Sequence, residues 1–289
     1  MMRNRHFTGA GGARLAASVF EAAAPRGVTA LLLHGGGQTR HAWVQTAKAL
    51  AQAGISVIAL DQRGHGNSEW IVEGAYAFAD FGADVTAVAD TLSRETGRAP
   101  VVVGASLGGI AALLAMATRA NVFAGLVLVD VTPTLDPQGV ANVRSFMGAR
   151  AQEGFASVEE AASAIAAYLP HRPRPNSLEG LRKNLRRRND GRFYWHWDPR
   201  FLDGPRPVGA HDAGLQSALE GAARAASVPV LLVRGLESEL VREREAAEFR
   251  ALCPQAEFVD VAGARHMVAG DRNDAFAAAI VEFLLRRFG

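Results

Sequence analysis

The sequence predicts an α/β protein: a doubly wound, mostly parallel sheet carrying an inserted helical cap. Three observations predict it. Short apolar runs rich in β-branched residues alternate with alanine-rich helical stretches. The runs are nearly continuous in hydrophobicity rather than alternating, as strands buried on both faces of a parallel sheet are. The rhythm stops once, from about Thr134 to Ser227, where helical patterns and prolines replace buried strands.

The elements follow in chain order. Phe7–Glu21 reads as an antiparallel edge hairpin turning at Gly9–Gly12. The buried runs are Thr29–Leu33, Ile55–Leu60, Val101–Val103, Leu126–Val129, Val230–Val233 and Phe258–Val261. Helices are predicted over about His41–Ala53, Phe81–Thr96, Leu107–Arg119, Arg242–Leu252 and Asp274–Phe288. Repeated strand–helix alternation implies right-handed crossovers. Residues 1–133 and 228–289 are therefore assigned to the core, and 134–227 to the cap. Within the cap, Gln138–Glu153, Val158–Tyr168 and Ser177–Arg188 have helical spacing, separated by Pro170, Pro173 and Pro175. The aromatic cluster Phe193–Trp197 follows.

Composition narrows the function classes. A chain of 289 residues, 49% hydrophobic and 21% charged, has an ordinary globular make-up for one core with an insertion. No apolar run reaches the roughly 18 residues a membrane span needs. The N-terminus shows no apolar signal segment, and a lone Cys253 excludes an internal disulfide. Together these predict a cytoplasmic protein. The net charge is only +2, but Arg172–Arg206 sets ten basic residues against four acids. Such a stretch steers anionic substrates, although a solvated arginine face gives the same pattern. The expected partner is thus a small molecule, with anionic groups among those to consider; no nucleic-acid motif is present and no membrane partner is expected.

The chemistry concentrates in Val101–Gly109. Val-Val-Val-Gly-Ala-Ser-Leu-Gly-Gly reads as strand, tight turn and helix, and fits G-x-S-x-G around Ser106. A nucleophile on so sharp a turn needs small neighbours two residues away on each side, here Gly104 and Gly108. His34-Gly35-Gly36-Gly37 follows the first buried run, Asp61-Gln62-Arg63-Gly64-His65-Gly66-Asn67-Ser68 the second, and Gly263-Ala264-Arg265-His266 the last. In this order and over essentially the whole chain, the sequence resembles the cofactor-independent α/β-hydrolases.

That resemblance implies an oxyanion hole built from the N–H of Leu107 and from the His34–Gly37 loop, with Gly36 the matching position. It implies a structural role for His34 and for the Asp61–Ser68 turn, in which Asp61 and Arg63 are expected to pair. His266 is the candidate base, because it follows the last predicted strand in a glycine-bearing loop. Two acids compete to orient it. Glu239, in the turn after Val230–Val233, stands where relatives tend to carry aspartate; Asp130 ends the strand before that one, where open α/β sheets build their sites. Asp130 is the shorter side chain and the favoured choice, with Glu237 a third possibility. His41, Arg144 and Trp195 are candidate substrate contacts. The Asp130–Pro133 segment resembles family members that hydrolyse a dicarboxylate enamide, which makes Arg144, Arg150 and Arg182 candidate carboxylate clamps.

The expected reaction is hydrolysis of a small-molecule carboxylic ester through an acyl-enzyme on Ser106. Amide or enamide C–N cleavage is the alternative, then C–C cleavage; a receptor that kept the fold without turnover is the reading from a different class. No metal is expected, since no residue cluster has ligand spacing. No nucleotide cofactor is expected either, because Gly104–Gly109 lacks the dinucleotide fingerprint.

Overall fold

The computed structural model of the protein describes residues 2–170, 177–266 and 273–289. The chain opens with a hairpin of β1 (Met2–Thr8) and β2 (Arg14–Phe20), turned by Ala10–Gly12, where Gly11 and Gly12 adopt φ of 66° and 83°. Next come β3 (Thr29–Leu33), a 3-10 turn (Arg40–Trp43), α1 (Val44–Gln52) and β4 (Ser56–Leu60). Then follow α2 (Phe78–Thr96), β5 (Val101–Ala105), α3 (Leu107–Thr118) and β6 (Gly125–Val129). The segment after β6 holds α4 (Pro137–Gly148), α5 (Val158–Tyr168), α6 (Glu179–Arg182), β7 (Leu185–Arg187), β8 (Phe193–Trp195), α7 (Arg200–Asp203) and α8 (Leu215–Arg224). The chain then returns through β9 (Val230–Gly235), α9 (Glu243–Leu252), β10 (Glu257–Val261) and α10 (Asn273–Phe288).

The main sheet has eight strands in the order β1-β2-β4-β3-β5-β6-β9-β10. β4, β3, β5, β6, β9 and β10 run parallel, and β2 and then β1 are joined to β4 through antiparallel pairings. This is a doubly wound, mostly parallel sheet. Trp43, Leu50, Phe276, Ile280 and Phe283 bury α1 and α10 on one face. Phe81, Val85, Ile110, Leu219 and Phe249 bury α2, α3, α8 and α9 on the other. No helix among the described residues is long and apolar enough to cross a membrane.

The Ser177–Arg188 helix forms only as the single turn of α6. Leu185–Arg187 instead pairs antiparallel with Phe193–Trp195, setting Leu185 opposite Trp195. Leu178, Leu181 and Leu185 fit a helical period, but β pairing with an aromatic-rich partner satisfies the same backbone groups and buries Leu185 and Trp195. After β8, the chain is stitched to the turn that follows β4. The Gly66 N–H donates to the His196 carbonyl and the Asp198 N–H to the Gly64 carbonyl, each at 2.8 Å. The Tyr76 hydroxyl donates to buried Asp198 at 2.6 Å.

Asp61 and Arg63 do not pair with each other. The turn sends them to opposite sides: Asp61 binds the Arg40 guanidinium, and Arg63 forms a two-pronged pair with Asp84 at 2.6 and 2.7 Å. All four side chains are buried, so each charge needs its own dedicated partner. The turn's glycines serve this packing, since a Cβ on Gly66 would lie 2.2 Å from an Asp61 oxygen.

Removing one partner of a buried pair strands the other charge. Arg63→Ala or Asp84→Ala is expected to cost about 3–5 kcal/mol. An Arg63→Met/Asp84→Leu double variant should recover most of that loss, measured by urea unfolding. Simple addition of the two single losses would contradict the pairing.

Candidate active site

Ser106 stands between β5 and α3 with φ 47° and ψ −115°, a conformation an L-residue holds only when its surroundings impose it. Close approach imposes it here. A Cβ on Gly104 would come within 2.6 Å of Gly108 backbone atoms, and one on Gly108 within 2.4 Å of the Leu33 carbonyl oxygen. The glycines let α3 fold back over β5 and β3, leaving Ser106 on the wall of a cavity of about 730 Å³.

Asp130 follows β6 directly, fully buried and with φ 49°, a second strained position that is not glycine. One carboxylate oxygen accepts the Gly235 N–H at 3.1 Å. The other accepts the Ser238 hydroxyl at 2.5 Å and His266 Nδ1–H at 2.9 Å. The Ser238 oxygen itself accepts the N–H groups of Leu240 and Val241, each at 3.1 Å, so its single proton is left for Asp130. A carboxylate on Nδ1 assigns the proton to that nitrogen and leaves Nε2 as the basic one.

The loop bearing His266 is held against the end of β9. The Leu236 N–H donates to the Val261 carbonyl at 3.1 Å and the Glu237 N–H to the Ala264 carbonyl at 3.0 Å. Gly235 makes this docking possible, because a Cβ there would lie 2.4 Å from the Ala264 oxygen. His266 and Ser106 line the same cavity.

The other two acids are placed differently. Glu237 is exposed and faces Arg265 at 3.7 Å. Glu239 lies on the cavity wall, with one carboxylate oxygen buried and unpartnered among the described residues. Of the candidate acids, Asp130 is the one hydrogen-bonded to His266.

The loop after β3 is set by neighbouring side chains. The Gly35 N–H donates to Gln38 Oε1 and the Gly37 N–H to His65 Nε2, both at 3.1 Å. Between them, the Gly36 amide stays uncommitted among the described residues and lines the cavity with Leu107. His65 donates Nδ1–H to the Arg63 carbonyl at 2.9 Å, and His34 donates to the Gly35 carbonyl while accepting from the Gln62 N–H. Both imidazoles are buried and serve as neutral struts. Burial, then the neighbouring His34, pushes His65 down to about 3, and burial likewise lowers His34.

Phe146, Met147, Tyr168, Trp195, Trp197 and Phe201 give the cavity a mainly apolar wall. Trp195 and an exposed Arg144 are on that wall; His41 is not. His41 sits instead beside Arg40, where burial and then the Arg40 charge lower its affinity for a proton. Arg150 turns outward to Glu160, and Arg182 is exposed and off the wall. Tyr168 stacks on Phe146 at 4.1 Å, and burial followed by the Glu239 charge pushes its phenol up to about 12.

Residues 31–272 match the α/β-hydrolase fold family. The chain belongs to that family. This α/β-hydrolase is 32% identical over 222 residues to an esterase of Mycobacterium tuberculosis, covering 75% of this chain and 69% of the relative. It is 31% identical over 237 residues to the 2-(acetamidomethylene)succinate hydrolase of Mesorhizobium japonicum, covering 80% and 78%. The crystal structure of an E-2-(acetamidomethylene)succinate hydrolase superposes with a TM-score of 0.81 at 24% identity, over 98% of this chain and 99% of the other. That of the M. tuberculosis esterase gives 0.74 at 26% identity, over 98% and 92%. With esterases and hydrolases as relatives, the chain is an enzyme of hydrolase type.

Sequence reasoning missed Ser238 and Gln38. Ser238 stands between the two candidate acids Glu237 and Glu239, and its hydroxyl reaches Asp130. Nothing in the sequence distinguishes it, because the contact spans 108 residues. Gln38 follows the three glycines, and a polar side chain able to fold back onto them was the available signal.

Asp130→Asn is expected to lower kcat by about 10³–10⁴, the scale of losing the correct imidazole tautomer, and Glu239→Gln by less. The reverse order in steady-state kinetics would assign the acid to Glu239. His65 also makes a pH prediction. Its proton affinity in the fold lies below the unfolded value near 6.5, so the unfolded chain binds more protons between about pH 6.5 and 3. Stability from this group is complete above that window and falls as pH drops through it, by up to about 1.4 kcal/mol per pH unit. His65→Gln should flatten the acid limb of a denaturation profile; an unchanged slope would contradict a neutral buried His65.

Proposed function

We propose that the enzyme is a carboxylic ester hydrolase working through an acyl-enzyme on Ser106, with His266 as base and Asp130 as its orienting acid. The observation that carries this reading is the hydrogen bond from His266 to the buried Asp130 carboxylate, beside a cavity that also holds the strained Ser106.

In this mechanism His266 Nε2 takes the Ser106 hydroxyl proton as the oxygen attacks the substrate carbonyl. The imidazolium is stabilised by Asp130, whose other two hydrogen bonds keep it in place. The tetrahedral oxyanion accepts from the N–H groups of Gly36 and Leu107, each donor commonly contributing about 10²–10³ in rate. Collapse breaks the bond to the leaving alkoxide, which receives the proton from His266 and departs as the alcohol. Water then gives a proton to His266, attacks the acyl-enzyme, and releases the carboxylic acid with Ser106 restored.

The mainly apolar wall supports esters with a sizeable hydrocarbon part. The 2-(acetamidomethylene)succinate hydrolase relative favours an enamide as the second reading. Against a dicarboxylate substrate, only Arg144 of the three candidate clamps lines the cavity. The substrate is thus proposed to be a small, largely apolar ester.

A fluorophosphonate probe should label the wild type at one equivalent and leave Ser106→Ala unlabelled. 4-Nitrophenyl esters of medium chain length should be hydrolysed, with kcat reduced by about 10⁴ or more in Ser106→Ala and His266→Ala. An unreactive Ser106 would favour a receptor on the same fold. Turnover of N-acyl enamines but not of esters would favour the second reading.

A further inference from the structure

The cavity contains a group that this mechanism leaves unused. Glu239 reaches the wall from the turn after β9, and one of its carboxylate oxygens is buried without a hydrogen-bond partner among the described residues. No lysine or arginine among the described residues forms an ion pair with it. The backbone that carries it is held firmly. A Cβ on Gly139 of α4 would lie 2.2 Å from the Glu239 carbonyl oxygen, and the next two amides are bonded to Ser238. The other acid on the wall, Glu159, is exposed, as is Arg144. Its surroundings include Tyr168, whose phenol responds to the Glu239 charge.

A buried carboxylate oxygen without a donor is costly, so such groups persist where something supplies one. On a mainly apolar wall, an acceptor held by a fixed backbone helps to orient a ligand. We propose that Glu239 is a specificity determinant, accepting a hydrogen bond from a donor on the substrate, best an ammonium and next a hydroxyl. The proposal rests on the ester-hydrolase reading for its chemistry, but only on the cavity for binding. The preferred substrate is then an ester whose hydrocarbon part ends in a donor that reaches Glu239 while the carbonyl sits at Ser106.

The test uses 4-nitrophenyl alkanoates of graded chain length, ending in ammonium, hydroxyl or methyl. At one chain length, wild type should prefer the ammonium-ended ester over its methyl-ended counterpart by about ten- to hundredfold in kcat/KM, the usual range for a hydrogen bond to a charged group. Glu239→Gln should lose the ammonium preference while keeping that for hydroxyl, and Glu239→Leu should favour methyl. Thermal unfolding of both variants checks that they fold. A wild-type ratio near one at every length, or the same ratio in wild type and in folded Glu239→Gln, would overturn the proposal. Ser106→Ala, titrated calorimetrically with the same esters, reads the preference without turnover. If no ester is hydrolysed yet that protein binds the ammonium-ended one more tightly, the ester-hydrolase reading falls and the role of Glu239 stands.

Discussion

The Asp130 carboxylate is the point at which the parallel sheet becomes a site. It is fully buried, so each of its hydrogen bonds acts in a low-dielectric interior, and it receives three. Those donors come from the end of β9, from the turn after it and from the loop after β10. One side chain just after β6 therefore fixes two neighbouring connections relative to each other. The His266 ring takes its orientation from the same contact. The strained backbone at Asp130 is held because the satisfied carboxylate and the flanking parallel strands leave it no relaxed alternative.

The β3 side of the cavity follows the same logic with neutral groups. Neutral His65, made so by burial, accepts the Gly37 amide, and Gln38 accepts the Gly35 amide. An imidazolium could not accept that bond, so the interior that suppresses protonation also shapes the loop. The three glycines bring this loop beside Ser106, where a Cβ on Gly35 would meet the Ser106 Cβ at 3.4 Å. The inserted segment contributes the apolar wall. Its attachment to the turn after β4 through the Gly66–His196 and Gly64–Asp198 backbone bonds aligns Trp197 and Phe201 over the site.

Much of this was legible in residue order. Continuous valine and leucine runs have one stable home, a sheet covered on both faces, and the glycines around Ser106 have one obvious use. Elsewhere a local pattern had two solutions. Leu178, Leu181 and Leu185 fit one helical period, yet the helix stops after the α6 turn and the aromatic partner Phe193–Trp195 draws Leu185 into a strand. Asp61 and Arg63 are neighbours in sequence, and only the direction of the turn shows that they serve Arg40 and Asp84 instead.

By itself, the sequence determined the doubly wound sheet, the elbow at Ser106 and the short set of histidines and acids from which a site could be drawn. Those features depend on periodicity and on steric demands within a few residues. The tertiary structure decided which acid meets His266, that Ser238 and Gln38 support the site, and that Glu239 faces the cavity. The Gln38 contact is local, but Asp130 meets Ser238 and His266 across 108 and 136 residues, so a carboxylate's reach of a few ångströms is set there by strand order rather than by spacing along the chain.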